Sequence, residues 1–358
     1  LSNNWVGLFR KIAVNIFTDF HHNSLLRSFV LLFEDRLGAN VYRPIGMDWF
    51  YNGYWAINDL EDTAKQFLDI ETTVLADKTP ALNVVNNMQD QVHHVYDPGL
   101  GSTHKAITLD RFKEIDFDYV IASIPQHIPL YQDLISKYQP RAKLIVHVGN
   151  NWSESFVSGH NVLASIKKRD WSSVNAVYYH QEFDLDIFKP YKYYGVSKVS
   201  SYINVLQNMP QGHLDFNILE KELQGQVIFK SYGGQCRDGN FAGPKLLADS
   251  MRQNDLIFHV KDGGDGYGHI LYNAYACGKP IITRSSFYKD CLGEELFNKN
   301  NFIDLDTMSH SDAAQAVANL ITNRDLLDDM SESAYRSFIN AVDFQHDANK
   351  VGEWMFNL

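Results

Sequence analysis

Short apolar runs alternate along this chain with amphipathic stretches. The runs have the length and β-branched or aromatic content of buried strands, and the stretches have helical spacing. Lys11–Thr18 (KIAVNIFT) predicts a first strand, with Asp19–His22 as the loop at its carboxyl end. Asn23 is placed to cap a helix over Ser24–Leu37, which Gly38 stops. Ala39–Arg43, Asp118–Ser123 and Ala142–Val148 predict further strands, Ala176–Tyr179 is a short apolar run, and Leu130–Tyr138 predicts a helix. Residues 44–58 are aromatic-rich and read as a long loop, either packed on the surface or forming a lip for an acceptor. Residues 61–110 show no clear period. A second block opens near residue 190. Its strands are Val199–Val205 and Gln226–Lys230, and its helices are Leu214–Leu223, Lys245–Arg252, Ala313–Thr322, Arg324–Ala341 and Asn349–Phe356. Two such blocks predict an α/β protein of two Rossmann-like domains facing a cleft, residues 1–190 and 191–340.

The densest signal lies in Asp255–Ser285. Leu256, Ile257, Phe258 and Val260 form a buried parallel strand by pattern. Gly263, Gly264, Gly266 and Gly268 follow. A helix is predicted from Gly268 to Cys277, with Gly278 just past its end and Pro280 as a stop. Ile281–Thr283 opens the next strand. Glycines between a strand and a helix start let the backbone approach a ligand closely. The free N–H groups of the first helical turn favour a phosphate. His269 and Asn273 are four apart and share a helix face. The pattern therefore predicts phosphates at Gly266–His269 and a sugar hydroxyl at Asn273. A glycine-rich turn with no ligand is the plainer alternative.

This segment resembles the nucleotide-sugar signature of GT-B glycosyltransferases, in particular the retaining family-4 type. Asp265-Gly266-Tyr267-Gly268 is similar to the signature's Glu-Gly-Phe-Gly. Asn273-Ala274 through Gly278-Lys279-Pro280-Ile281-Ile282 is similar to its Glu-Ala and Gly-x-Pro portion. The spacing of the family's two glutamates is kept, with Asp265 and Asn273 in their places. Asp keeps the charge on a shorter arm, and Asn keeps a hydrogen-bonding group without the charge. Phe183–Pro190 resembles the passage before the family's second domain. The resemblance implies a nucleoside-diphosphate sugar as donor, no other cofactor, retention of configuration, and a last helix (341–358) that crosses back to the first domain. In the family an Arg and a Lys follow the second domain's first strand. The corresponding Leu206–His213 contains neither.

Composition narrows the partners. A formal net charge of −11 argues against stable binding to nucleic acid or anionic lipid. Cys236, Cys277 and Cys291 lack any paired spacing and fit reduced thiols in a cytoplasmic protein. No run approaches a membrane-spanning length. The start, LSNNWVGLFRK, has no secretory apolar segment and no initiator Met, so missing N-terminal sequence is expected. Acceptor class and oligomeric state are not encoded in any pattern found.

In open α/β sheets the ligand lies beyond the carboxyl ends of the strands. That rule selects Asp19, His22, His127 and His147 as catalytic candidates in the first domain. His147 also stands where the resembled family often carries a functional histidine. In the second domain it selects Lys230 and Arg237 as cations for the leaving diphosphate, beside Asp265, Gly266, Tyr267, Gly268, His269 and Asn273. A lone histidine near a strand end is more often structural, and a loop arginine is often only solvated. No metal is expected. Asp184-Leu185-Asp186 and Asp304-Leu305-Asp306 have an Asp-x-Asp spacing, but neither flanks the glycine-rich loop. The first loop has no glycine, against a dinucleotide-binding oxidoreductase. A GT-B epimerase or phosphorylase shares the expected fold. A non-catalytic sugar- or nucleotide-binding scaffold with a decayed site is the other reading.

Overall fold

A computed structural model describes residues 14–19, 23–44, 83–87, 92–97, 102–107, 109–150, 154–166 and 174–358. The chain divides into two compact units. The first comprises residues 1–183 and 344–358, and the second comprises residues 184–343.

The first unit is built on a nine-stranded sheet among the described residues. The strands are β1 (Asn15–Thr18), β2 (Asn40–Pro44), β3 (Asn83–Asn87), β4 (Val92–Asp97), β5 (Ser102–Ile107), β6 (Tyr119–Ala122), β7 (Lys143–Val148), β8 (Asn161–Ala164) and β9 (Asn175–Tyr178). Their order is β3-β4-β5-β2-β1-β6-β7-β8-β9, parallel from β5 to β9, with β3-β4-β5 paired antiparallel. Every residue of β6 is buried, as a parallel strand covered on both faces requires. Helix α1 (Asn23–Phe29) widens into a π-helical turn at Val30–Arg36 and ends before Gly38, at φ 72°. Val30, Leu31, Leu32 and Phe33 are all buried, a consecutive run that the single apolar stripe of an α-helix does not cover. Two further helices are α2 (Leu109–Glu114) and α3 (Ile128–Tyr138).

The second unit holds a five-stranded sheet of β10 (Lys198–Ser201), β11 (Ile228–Ser231), β12 (Leu256–Phe258), β13 (Ile281–Thr283) and β14 (Phe302–Asp304). The order is β11-β10-β12-β13-β14, and every pair is parallel. The helices are α4 (Pro210–Glu222), α5 (Pro244–Arg252), α6 (His269–Ala276), α7 (His310–Thr322) and α8 (Arg324–Ala341). Phe216 of α4 meets Phe229 and Phe258 edge-on at 5.4 and 5.2 Å between ring centroids. The last helix, α9 (Phe344–Phe356), packs Ala348, Val351 and Met355 into the first unit's core. Asp347 anchors it by accepting from the His180 backbone N–H at 2.8 Å and pairing with the His180 ring at 2.7 Å.

Most predicted elements are present with shifted ends. Strands β3–β5 occupy part of the stretch with no legible period, and β8 (NVLA) also went unpredicted. Helix α4 begins at Pro210, four residues before the expected start, because Pro at the first position is pre-set for a helix. Residues 11–13 and the aromatic loop from 45 onward lie outside the described residues.

One close approach fixes α4 against β12. A Cβ on Gly212 would lie 2.2 Å from the Val260 carbonyl oxygen. Gly212→Ala should therefore cost about 1–3 kcal/mol, as overpacking does. Gly234→Ala, whose nearest neighbour would be 3.7 Å away, should be nearly neutral. Urea unfolding of the two variants measures the contrast.

Candidate functional site

The parallel part of each sheet reverses its strand order once, and a crevice at such a point is where ligands bind in open α/β folds. In the second unit the reversal lies between β10 and β12. The loop that leaves β12 there is the glycine run. Gly263, Gly264, Gly266 and Gly268 all have positive φ, at 78°, 86°, 60° and 71°. An added Cβ on Gly264 would lie 2.9 Å from the Phe287 carbonyl oxygen, so this glycine is required twice over. Gly268 is the N-cap of α6, and no side chain caps that end. The Leu271 N–H turns back to the Gly268 carbonyl at 2.9 Å, and the positive end of the helix dipole faces the loop.

Asp265 holds the loop from beneath. Its carboxylate accepts from His259 Nε2 at 2.8 Å and pairs with Lys261. Burial alone would raise this carboxyl, but the Lys261 charge and the His259 hydrogen bond hold it well below the usual range. Tyr267 is buried and stacks on Tyr272 at 4.3 Å, with planes 6° apart. It also meets the His269 ring edge-on at 5.0 Å. Asp265 and Tyr267 therefore shape the loop, and Gly266, Gly268 and His269 present its backbone. Asn273 lies one turn further along α6. It is 6% exposed, and its amide oxygen has no hydrogen-bond partner. A buried acceptor without a donor is costly unless a ligand or water supplies one.

The two predicted cations stand in a separate cluster. Lys230 Nζ donates to Asp238 at 2.8 Å. The Arg237 guanidinium binds Glu220 through two bonds of 3.0 and 2.8 Å, and also donates to Asp238 and the Phe229 carbonyl. Both charges are therefore already met by carboxylates. Lys261, which the sequence reading passed over, is the cation set in the glycine loop itself, and it is 39% exposed. Its signal was its place, directly after a strand end and four residues before Asp265. Asp262, also unpredicted, accepts from the Gln211 and Gly212 N–H groups at 2.8 Å each. It fills the start of α4, where the resembled family would bring an Arg and a Lys.

In the first unit the strand order reverses between β1 and β6. Asp19 follows β1 and His127 follows β6, and the two side chains form a buried pair through His127 Nδ1. The Ser123 N–H also donates to Asp19, at 2.7 Å. Burial would raise the Asp19 carboxyl, but the His127 charge and these hydrogen bonds hold it below its ordinary value. His147 joins the same group through Ser123, whose carbonyl is 3.2 Å from His147 Nδ1. Its Nε2 faces the Ser165 hydroxyl at 3.4 Å, and Phe29 and Tyr179 meet the ring edge-on. His147 is fully buried with both ring nitrogens engaged, a setting that suits positioning better than contact with a substrate. His22 lies outside the described residues. The structure thus brings Asp19, His127 and His147 together around Ser123.

No protein-family model and no curated protein sequence matches the chain. Solved structures do. TarM of S. aureus superposes with a TM-score of 0.62 at 10% identity, covering 96% of this chain and 99% of that one. HepE of Anabaena, solved in complex with UDP and glucose, gives 0.62 at 12% identity over 97% and 100% of the two chains. A glycosyltransferase of Rickettsia africae gives 0.57 at 11% identity over 96% and 98%. The chain has an α/β fold of the GT-B type, as the resemblance in the glycine-rich segment implied. Among the described residues, no helix is long and apolar enough to cross a membrane, and no group of three His, Cys, Asp or Glu side chains is placed to hold a metal ion.

The Asp265 pair carries a pH signature. Its folded-state pKa lies below the unfolded value of about 4, so its stabilisation is complete above that pH and fades as pH falls below it. Asp265→Asn should lower stability at pH 7 by about 1–3 kcal/mol, the cost of leaving buried partners unsatisfied. The gap to the parent should narrow as pH drops below about 4. Chemical denaturation across that range measures it.

Proposed function

We propose that this chain is a glycosyltransferase that moves a sugar from a nucleoside-diphosphate sugar to an acceptor. The observation that carries the reading is Asn273, a buried and unpartnered acceptor one helical turn beyond a left-handed glycine loop. The diphosphate would lie on the backbone of Gly266–His269, with Tyr267 and Asp265 keeping that backbone in place. The ribose hydroxyls would donate to Asn273 Oδ1. The UDP complex of HepE supports a nucleotide in a fold of this type.

Departure of a diphosphate needs its negative charge met, and positioned dipoles and cations do this without bond-making. Here the N-terminus of α6 supplies it, with the half-exposed Lys261 beside it although paired with Asp265, so the proposed reaction is metal-independent. Lys230 and Arg237 keep a supporting role, because Glu220 and Asp238 already balance them. On the acceptor side we assign Asp19 and His127, the pair at the first unit's switch point, with His147 as their neighbour through Ser123 and His22 kept as a candidate from its place in the sequence. Asp19 would orient the imidazole. Retention of configuration follows the family-4 resemblance. Three free thiols suit a reducing compartment, and we place the protein in the cytoplasm.

A binding protein without turnover is the second reading. It draws on Asn273 in place of a glutamate and on the commitment of Lys230 and Arg237 to carboxylates. Two measurements separate the readings. Asn273→Ala should weaken ribonucleotide binding by about 1 kcal/mol, one hydrogen bond, while leaving 2′,3′-dideoxyribonucleotides unchanged. Equal weakening of both would remove Asn273 from the ribose. His127→Gln should leave UDP affinity unchanged and lower sugar transfer or donor hydrolysis by about 100-fold or more, as loss of a general base does. A parent protein that binds UDP-sugars yet neither transfers nor hydrolyses them supports the binding protein.

A further inference from the structure

The second unit has a cavity at the other ends of its strands. It occupies about 670 Å³, within the roughly 300–1,000 Å³ of small-molecule sites. Asp255, which precedes β12, and Lys279, which precedes β13, form its base, and the first turns of α8 form a wall. The glycine loop leaves the opposite end of β12, so the two sites are distinct.

The base is built from buried polar groups with unmet capacity. Asp255 is 3% exposed. One of its oxygens accepts from Arg324 at 2.6 Å, and the other has no partner. Lys279 is 5% exposed, and its ammonium donates to the Tyr191 carbonyl at 3.1 Å, with two further donors in hand. Burial draws this amine down to about 8, with Asp255 partly offsetting the effect. The rim carries Tyr191 and Tyr194, which are 58% and 70% exposed, and the carboxylates of Asp325, Asp329 and Glu332. A second cavity of about 410 Å³ shares Asp329 and Glu332 and continues along α8 past Asn298 and Asn340.

Charge selects the ligand class. An anion would meet the rim carboxylates, and a cation would meet Lys279 and Arg324 at the base. A neutral polyhydroxylated ligand avoids both penalties. Its hydroxyls donate to the open Asp255 oxygen and accept from Lys279, and its ring faces suit the exposed tyrosines. Two adjacent cavities along one helix suit a ligand of several linked rings. We propose that this face of the second unit binds a neutral oligosaccharide, independently of the nucleotide site.

Lys279 reports occupancy directly. Acetic anhydride at pH 8 acetylates the amine and releases acetate, and mass spectrometry reads the rate at each lysine. Neutral glucans, galactans, mannans and N-acetylglucosamine oligomers form the panel. At ten times its dissociation constant, a bound member should slow Lys279 about tenfold by mass action, with exposed Lys137 unchanged. Saturation-transfer NMR with the same panel reads binding without requiring the lysine to react. Asp329→Ala at the exposed rim should weaken both signals, whereas Asn273→Ala should leave them intact and alter only nucleotide binding. The proposal is overturned if no panel member gives either signal. It is also overturned if phosphate or spermidine protects Lys279 and the sugars do not, or if UDP alone does.

Discussion

The backbone between β12 and α6 is the constraint on which the second unit's site depends. Four glycines with φ between 60° and 86° bend the chain so that a helix start faces the carboxyl end of a parallel sheet. A side-chain-bearing residue pays roughly 1–2 kcal/mol for each such position. The turn is also pinned. Asp265 reaches back to His259 at the strand end, Asp262 reaches across to α4, and Gly212 lets α4 come within contact of Val260. Moving any of these would displace the N–H groups that open α6.

The two units solve one geometric problem with different chemistry. The parallel part of each sheet reverses its order at one point, and each places polar groups at the strand ends beside it. The second unit offers backbone dipoles and a single loop lysine, which suits an anion that must be held and released. The first unit offers a buried carboxylate–histidine pair, which suits the control of a proton. In both, the charges are balanced before any ligand arrives. Arg237 shows the consequence, since a guanidinium with two bonds to Glu220 is not free to clamp a phosphate.

The amino ends of the second sheet's strands contrast with both. Asp255 and Lys279 are buried there, yet neither lies at a carboxyl end, where the topology would direct attention. Lys279 is placed by the left-handed Gly278, at φ 65°, which turns the chain from α6 into β13, and Asp255 is placed by its bond from Arg324 at the start of α8.

The sequence by itself determined the α/β class, the two alternating blocks, the glycine turn and the shared helix face of His269 and Asn273. These are local properties, fixed by side-chain periodicity and by the few residues that accept positive φ. It did not reveal β3, β4 or β5, whose polar-rich runs pair with one another and join the sheet only through β2, far back along the chain, nor β8, a run of four residues too short to carry a period. It also misjudged availability. Lys230 and Arg237 read as available cations because Glu220 lies on another helix and spacing alone does not show Asp238 folding back on both. Lys261 pairs with Asp265 within its own loop, whereas Asp262 finds its partners at the start of another helix. Only the tertiary structure decided which charges were already spent, because an ion pair depends on distance in space and not on spacing along the chain.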